Sequence, residues 1–419
     1  MSELGSSRDA LADILRNSRL RTVFQPIVEL ETRTVVAYEA LTRGPQGSTL
    51  ENPDALFAAA REHGRLAELD SACRIEAFRT AFAAGLNTPR GLFVNSEPEA
   101  LALLAGDVRP TTPAMVLEIT ERELTGNPAQ LLRSIDHVRE LGWSVALDDV
   151  GADAASIALL SLINPEIIKL DLHLVREMPN QHVARIMNVI TAHAESTGSI
   201  IVAEGVETEK HLDSARAMGA TLGQGWLFGR PVDLPNPLPP IAGLPSPVDV
   251  AVEPAGSTPF TIASSKRVAR AYSRDLLVEI SRHLEAQALT AGDSAVVLST
   301  FQHASNFTLD AARRYQELGD TVAMVAVLAE GFLPGASLGK VHMAGIGDAD
   351  ALQHEWSVAV VTPTFAALLA ARELPVTDSA PATAAGTGSV AEADRQFEFV
   401  LTHDRALTVA AARSLILRL

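Results

Sequence analysis

Seven places in this chain carry a polar residue at the end of a short apolar run: Glu39, Asn95, Glu118, the adjacent Asp148 and Asp149, Lys169, Glu204 and Gln224. Apart from the first gap, they are spaced by about one strand–helix unit. In a parallel barrel such residues converge at the C-terminal mouth of the strands. Five carboxylates crowded there repel one another unless a cation is present. The donors are all oxygen, including the Asn95 amide carbonyl, with no His or Cys among them, so a hard ion such as Mg²⁺ or Mn²⁺ is favoured over zinc. Adjacent aspartates suit a pair of ions, because one carboxylate can bridge while its neighbour binds the second. Two ions can activate a water and stabilise both oxygens of an in-line attack on a phosphodiester. Lys169 offers a positive point charge to that water or to the developing phosphorane, or equally serves as a counter-ion to the acids.

Holding these residues requires strands at Val23–Val28, Val35–Leu41, Leu92–Asn95, Met115–Ile119, Ser144–Leu147, Ile167–Leu170, Ile200–Ala203 and Thr221–Gly223, each a short β-branched or apolar run. Between them lie segments of helical period. Pro128–Leu141 carries Leu131, Leu132, Ile135 and Val138 on one face, as expected of a helix packed outside a barrel. Proline then recurs at 235, 237, 239, 240, 245, 247 and 254. With amide donors removed and φ fixed, this predicts an extended, semi-rigid linker over 232–259. It separates a first domain, 1–231, from a second, 260–419. Thr377–Ala393 has no apolar period and reads as a mobile loop within the second domain.

A chain of 419 residues with 47% apolar composition can bury two cores. Its formal net charge of −17 opposes bulk nucleic-acid binding, which requires many Lys and Arg to displace counterions. A small phosphorylated ligand held through a cation remains compatible with that charge. The single cysteine, Cys73, excludes an internal disulfide framework and a multi-Cys zinc site, and in its apolar helical stretch it reads as a buried thiol. The N-terminus lacks a basic segment followed by an apolar one, and no uncharged apolar stretch is long enough for a bilayer, so a cytoplasmic location is expected.

The segment FQPIVELETRTVVAYEALTRGP, containing Glu39-Ala40-Leu41 and Arg43, resembles the opening of EAL phosphodiesterase domains. FVNS (93–96), LEITE (117–121), LDDVG (147–151), IKLD (168–171), AEGVET (203–208) and GQGWLFGRP (223–231) extend the likeness over residues 10–231. The resemblance implies a TIM-like (β/α)8 barrel with one antiparallel strand, a homodimer, and hydrolysis of cyclic di-GMP to pGpG. By that likeness Glu39, Asn95, Glu118 and Asp148 would hold one metal, with Asp148, Asp149 and Glu204 around a second. Lys169 would orient the water, and Gln224 would assist at the metal and phosphate. Gln25 and Arg43 would contact substrate, and Asp171 would sit beside Lys169. Glu121 and Glu207 would act from behind the ligands, Glu121 by anchoring the loop after Asp149. That loop departs from the family pattern: Val150 replaces an aromatic residue and Asp153 a glycine. The departure motivates a second reading, a catalytically silent receptor for cyclic di-GMP.

The remainder reads as a smaller α/β domain. It has an amphipathic segment at Arg267–Leu289, apolar runs at Ala295–Phe301, Val322–Leu328, Trp356–Val361 and Phe397–Leu401, and helical patterns at Leu309–Leu318 and Asp404–Leu417. It offers no nucleophile–base set, phosphate loop or metal-ligand spacing. SRHLEAQAL, FQHASNFTLDAARRYQELG, HEWSVAVVTPTFAALLAAR and DRQFEFVLTHDRALTVAAA resemble the DICT sensory domain, which implies a regulatory role for an unspecified signal. Gln302, His303, Trp356 and Arg395 could line a pocket there, although Trp356 at the head of an apolar strand suits a core.

Each acid also has a plain structural alternative. Asp148–Asp149 suits a helix N-cap, Glu118 an edge-strand charge, Asn95 the cap of the next helix, and Glu207 a helix N-terminus. Those alternatives must hold independently at every place in the ordered series, which favours a site.

Overall fold

The structure, a computed structural model, describes residues 3–87, 89–97, 114–119, 127–151, 154–176, 180–239, 243–244, 256–333, 335–347, 349–375 and 395–419. The chain divides into two units. One comprises Met1–Gly126, Arg133–Ser156 and Asn164–Val250; the other comprises Asn127–Leu132, Ile157–Ile163 and Ala251–Leu419.

In the first unit the apolar runs form β1 (Arg21–Glu29), β2 (Val35–Arg43), β3 (Gly91–Asn95), β4 (Ala114–Ile119), β5 (Ser144–Val150), β6 (Ile167–Leu170), β7 (Ile200–Ala203) and β8 (Leu222–Gln224). They close into a barrel in sequence order. β1 runs antiparallel to both neighbours, β2 and β8, while the other pairs are parallel. Closure leaves no sheet edge to protect. Large and small side chains alternate in one interior layer, with Ile27, Phe93, Ile167 and Leu222 set among Ala37 and Ala146. The helix Pro128–Glu140 buries the four apolar residues of its predicted face, and Asn180 caps Gln181–Thr197 through the Val183 N–H.

The proline-rich stretch is partly a strap on this unit. Val232 and Phe24 exchange backbone hydrogen bonds of 2.7 and 3.0 Å, and Leu244 N–H donates to Pro89 O at 3.1 Å. Arg90 Nη2 donates to Pro239 O at 3.0 Å. The Leu244 side chain packs on the interior cluster, over Gly91, where a Cβ would lie 3.2 Å from Leu244 Cδ2. Prolines cannot donate, but their carbonyls accept, and Leu244 adds an apolar contact to these hydrogen bonds. Of the expected linker, 240–242 and 245–255 lie outside the described residues.

The second unit is a smaller α/β structure. Its strands are β9 (Arg270–Ser273), β10 (Val296–His303), β11 (Met324–Glu330), β12 (Ser337–Leu338), β13 (Val341–Gly345), β14 (Glu355–Val361), β15 (Ala366–Glu373) and β16 (Gln396–Thr402). They form one mixed sheet in the order β12-β13-β11-β10-β14-β15-β16-β9. Leu277, Leu284 and Ala288 of the helix Arg274–Ala291 and Tyr315 and Leu318 of Leu309–Thr321 pack on alternating sheet residues Val297, Val358, Val360, Leu369 and Ala371. One expectation needs correction, and one strand was not anticipated. The segment expected to be amphipathic from Arg267 begins instead as β9, an edge strand whose Tyr272 pairs with Phe397, and the helix starts at Arg274. The Ala- and Leu-rich run at 366–373 is a buried central strand that sequence periodicity left unassigned. The loop expected at 377–393 lies outside the described residues. Among the described residues no helix is long and apolar enough to cross a membrane.

Glu355 heads β14 and is buried, accepting from the Thr258 hydroxyl and from Phe260 N–H. Burial pushes its carboxyl up from 4.5 to about 7, against the pull of those two donors. The folded state therefore binds this proton more tightly than the unfolded state. The resulting stability is fully present below pH 4.5 and is lost as pH rises towards about 7. Urea unfolding across that window should show a falling stability worth up to about 3 kcal/mol, and Glu355→Gln should flatten the slope. An unchanged slope in the variant would assign the titration elsewhere.

Candidate functional site

Strand register brings the polar strand ends together. Glu39 of β2 accepts from Asn95 Nδ2 at 3.0 Å and from Gln224 Nε2 at 2.5 Å. Gln224 also donates to Gln25 Oε1 at 3.0 Å, and Gln25 Nε2 reaches Gly229 O at 3.1 Å. Lys169, 1% exposed at its side chain, lies amid four carboxylates. Its Nζ is 2.7 Å from Glu118 Oε1, 2.7 Å from Glu204 Oε1, 3.0 Å from Asp148 Oδ1 and 4.0 Å from Glu39 Oε1.

Asp148 and Asp149 require a local device, because successive strand residues point to opposite faces. The β5–β6 register breaks between Leu147 and Val150, and Asp149 adopts φ +52°. A bulge of this kind re-aims side chains. Oxygens of Asp148, Asp149 and Glu204 consequently lie within 4.8 Å of one another. Gly151 follows at φ +100°, where a Cβ would come 2.3 Å from Leu174 Cδ1, so the turn after the aspartates needs glycine.

A single ammonium cannot balance this charge. Burial pulls Lys169 down, but Asp148, Glu118, Glu204 and Glu39 together hold it well above its ordinary value. Burial, then repulsion from Glu39, raises Glu118 well above the carboxylate range against the attraction of Lys169. Burial pushes Glu204 to about 8, with Asp148 and Glu39 adding to the shift and Lys169 opposing it. Glu39 goes the other way. Burial would raise it, but Lys169 and the hydrogen bonds from Gln224 and Asn95 hold it below its usual value. Among the described residues, both Glu118 oxygens, Asp148 Oδ1 and Gln224 Oε1 are buried without a well-directed hydrogen bond. Oxygen acceptors in such excess fit a hard divalent cation.

The other predicted residues sit around this centre. Arg43 lines a cavity of about 400 Å³ that Asn95 and Glu118 also line, and its Nη1 donates to Thr42 O at 2.7 Å. Asp171 is buried and accepts from His173 N–H at 2.7 Å, capping the short helix Leu172–Arg176. Its hydrogen bond is thus to backbone, and the ion pairs of Lys169 go to the four carboxylates. Glu207 lies just ahead of the helix Glu209–Ala217, which Thr208 caps, and pairs with Arg176 at 2.5 Å. Glu121 and Asp153 lie outside the described residues. Cys73 is buried and burial pushes its thiol up to about 11, an unreactive state at neutral pH.

Sequence reasoning passed over Asp70, Arg74 and Ser96. Asp70 and Arg74 form a buried ion pair one helical turn apart. Arg74 Nη1 donates to Ser96 Oγ at 2.6 Å, and Asp70 accepts from Ser96 Oγ at 3.1 Å and from Glu97 N–H at 2.9 Å. This network fixes the chain immediately after Asn95. The signal was present: two opposite charges spaced i, i+4 in a helix that also carries Glu68, Glu76 and Arg79.

The EAL domain family model matches residues 8–231, and the chain belongs to that family. The model of the sensory domain in diguanylate cyclases and two-component systems, DICT, matches 261–374. The cyclic di-GMP phosphodiesterase NbdA of Pseudomonas aeruginosa is 32% identical over 242 residues, covering 54% of this chain and 30% of NbdA. The probable cyclic di-GMP phosphodiesterase PdeB of Escherichia coli is 27% identical over 246 residues, covering 55% of this chain and 46% of PdeB. Among solved structures, the calcium and cyclic di-GMP complex of Klebsiella pneumoniae BlrP1 is 31% identical, covering 51% of this chain and 56% of that one, with a TM-score of 0.45. The chain thus spans less than half the length of these curated relatives.

Because Glu118 is buried among like charges, Glu118→Gln should stabilise the protein in EDTA by about 1–2 kcal/mol. Urea unfolding measures this directly. A loss of stability would instead make Glu118 a required partner of Lys169.

Proposed function

We propose that this protein hydrolyses cyclic di-GMP to pGpG with Mg²⁺ or Mn²⁺, and that its DICT unit regulates the reaction in response to a signal. The observation that carries the reading is the meeting of Glu39, Glu118, Asp148 and Glu204 around Lys169, with Asp149 brought to the same mouth by a bulge. Glu39, Asn95, Glu118 and Asp148 would hold one ion, and Asp148, Asp149 and Glu204 a second. Bound there, such ions supply an acidified water and charge neutralisation at phosphate oxygens. Lys169 holds the carboxylates in place and orients the water. Arg43 binds a substrate phosphate from the adjoining cavity, and Gln25 and Gln224 fix Glu39 and face the substrate. Asp171 and Glu207 act from behind by fixing the chain that follows Lys169 and Glu204, and the family resemblance gives Glu121 the same part behind Asp149.

The names of the curated relatives support the substrate. The same reading takes 1–231 as the catalytic domain, 232–259 as the connector and 260–419 as the regulatory domain, with the protein acting as a homodimer in the cytoplasm. A second reading, a receptor that binds cyclic di-GMP without turnover, draws on Val150, a fully buried aliphatic residue where the family pattern has an aromatic one.

Purified full-length protein should convert cyclic di-GMP to pGpG when Mg²⁺ or Mn²⁺ is added, and either ion at about a hundredfold over its Kd should stabilise the fold by roughly 2.7 kcal/mol. Glu39→Ala should lose turnover and most of that stabilisation. Metal-dependent turnover surviving in Glu39→Ala would overturn the assignment. Nucleotide binding without turnover, restored to turnover by Val150→Phe with Asp153→Gly, would establish the receptor reading.

A further inference from the structure

The second unit contains a cavity of about 230 Å³. Its base is the end of the sheet, where Phe301 and Trp356 are cross-strand partners and Trp356 meets Phe397 edge to face at 5.9 Å. Ser281 and Glu285 reach it from the helix Arg274–Ala291, and Arg314 from Leu309–Thr321. Of the residues expected to line a pocket, Gln302, Trp356 and Arg395 do so, while His303 pairs with Glu330 at 2.5 Å.

Three features distinguish this cavity from a packing gap. Gln302 adopts φ +40° where the β10–β11 register breaks, and only 3% of it is exposed. A regular strand would send its side chain to the face opposite Phe301. The bulge instead brings it to the cavity, where its amide donates to Glu373 at 3.0 Å and accepts from Arg395 at 3.0 Å. Strained backbone held by such partners is characteristic of binding sites. Secondly, Ser281 is 5% exposed, and its hydroxyl is buried with no hydrogen-bond partner among the described residues. A buried polar group in that condition costs stability unless a ligand or water completes it. Thirdly, Arg314 pairs with Glu285 through Nε at 2.8 Å, which leaves its terminal amines to form a fork for a planar anion. Four arginines line the cavity against two carboxylates, with Arg282 also paired to Glu279 and Arg395 to Glu373.

The geometry points to a binding site for a small aromatic carboxylate, with its ring on Phe301, Trp356 and Phe397 and its carboxylate on Arg314 and Ser281. The volume is below the roughly 300–1,000 Å³ of drug-sized pockets, so it suits one ring with an acid group and excludes a cyclic dinucleotide. The aromatic base supplies dispersion and edge contacts, and the arginine fork selects charge and planarity.

Isothermal titration of the full chain with benzoate and 4-hydroxybenzoate tests the site. Saturable binding is expected, with benzyl alcohol about tenfold weaker or more because it cannot meet the fork. Ser281→Leu should fill the cavity and abolish binding. Arg314→Lys keeps a charge beside Glu285, so it should fold with an unchanged Tm yet weaken benzoate by about tenfold. Glu39→Ala should bind benzoate as the wild type does, so failure of the phosphodiesterase reading is scored separately. No saturable heat with either acid at millimolar concentration, benzyl alcohol binding as tightly as benzoate, or undiminished binding by Arg314→Lys would overturn the proposal.

Discussion

Charge crowding in a closed barrel mouth is the constraint on which the first unit depends. Four carboxylates lie within 4.0 Å of one buried ammonium. Paired charges at this depth lose hydration that their mutual attraction does not necessarily restore, so the arrangement is weak evidence for stability and strong evidence for function. The surrounding structure holds the crowd in place. Gln25 orients Gln224, Gln224 and Asn95 hold Glu39, and the buried Arg74–Asp70–Ser96 network fixes the chain beside Asn95.

What could be read from sequence followed the strength of the local signal. The eight barrel strands are apolar runs flanked by turns, and their ends already carried the polar residues, so both the barrel and the composition of its mouth were legible. Asp148 and Asp149 were legible as a pair converging on the mouth, but the local device that brings both there was not. It depends on a left-handed residue and a register break that no alternation pattern contains. Asp171 illustrates the converse: its place after Lys169 suggests a partner for the lysine, whereas its observed hydrogen bond caps a helix.

In the second unit the misreadings share one cause. Ala366–Glu373 is composed largely of good helix formers, yet it lies between β14 and β16, with Ala367 to Ala371 fully buried. Small side chains there let helices approach the sheet, and tertiary burial overrides local propensity. Arg270–Ser273 was absorbed into the following helical pattern because an edge strand of four residues has too few positions to show alternation. Pairing with β16, a long-range contact, decides its state. Leu244 belongs to the same class. A proline-rich composition describes a stiff chain well but does not reveal that Leu244 finds a core.

The altered residue at Val150 bears on how far the family chemistry extends to this chain. Its side chain is fully buried, and its backbone orders the loops: Val150 pairs with Leu170, and Asp171 N–H donates to Val150 O at 3.2 Å. Asp171 in turn caps the helix whose Arg176 holds Glu207, and Glu204 N–H donates to Leu170 O at 3.2 Å. The ends of β5, β6 and β7 are therefore interlocked through the main chain and through charges that do not involve the aromatic position. The hydrogen bonds that order these strand ends run through the main chain, which valine supplies as well as an aromatic residue does. On that ground, enzymatic turnover is the stronger of the two readings.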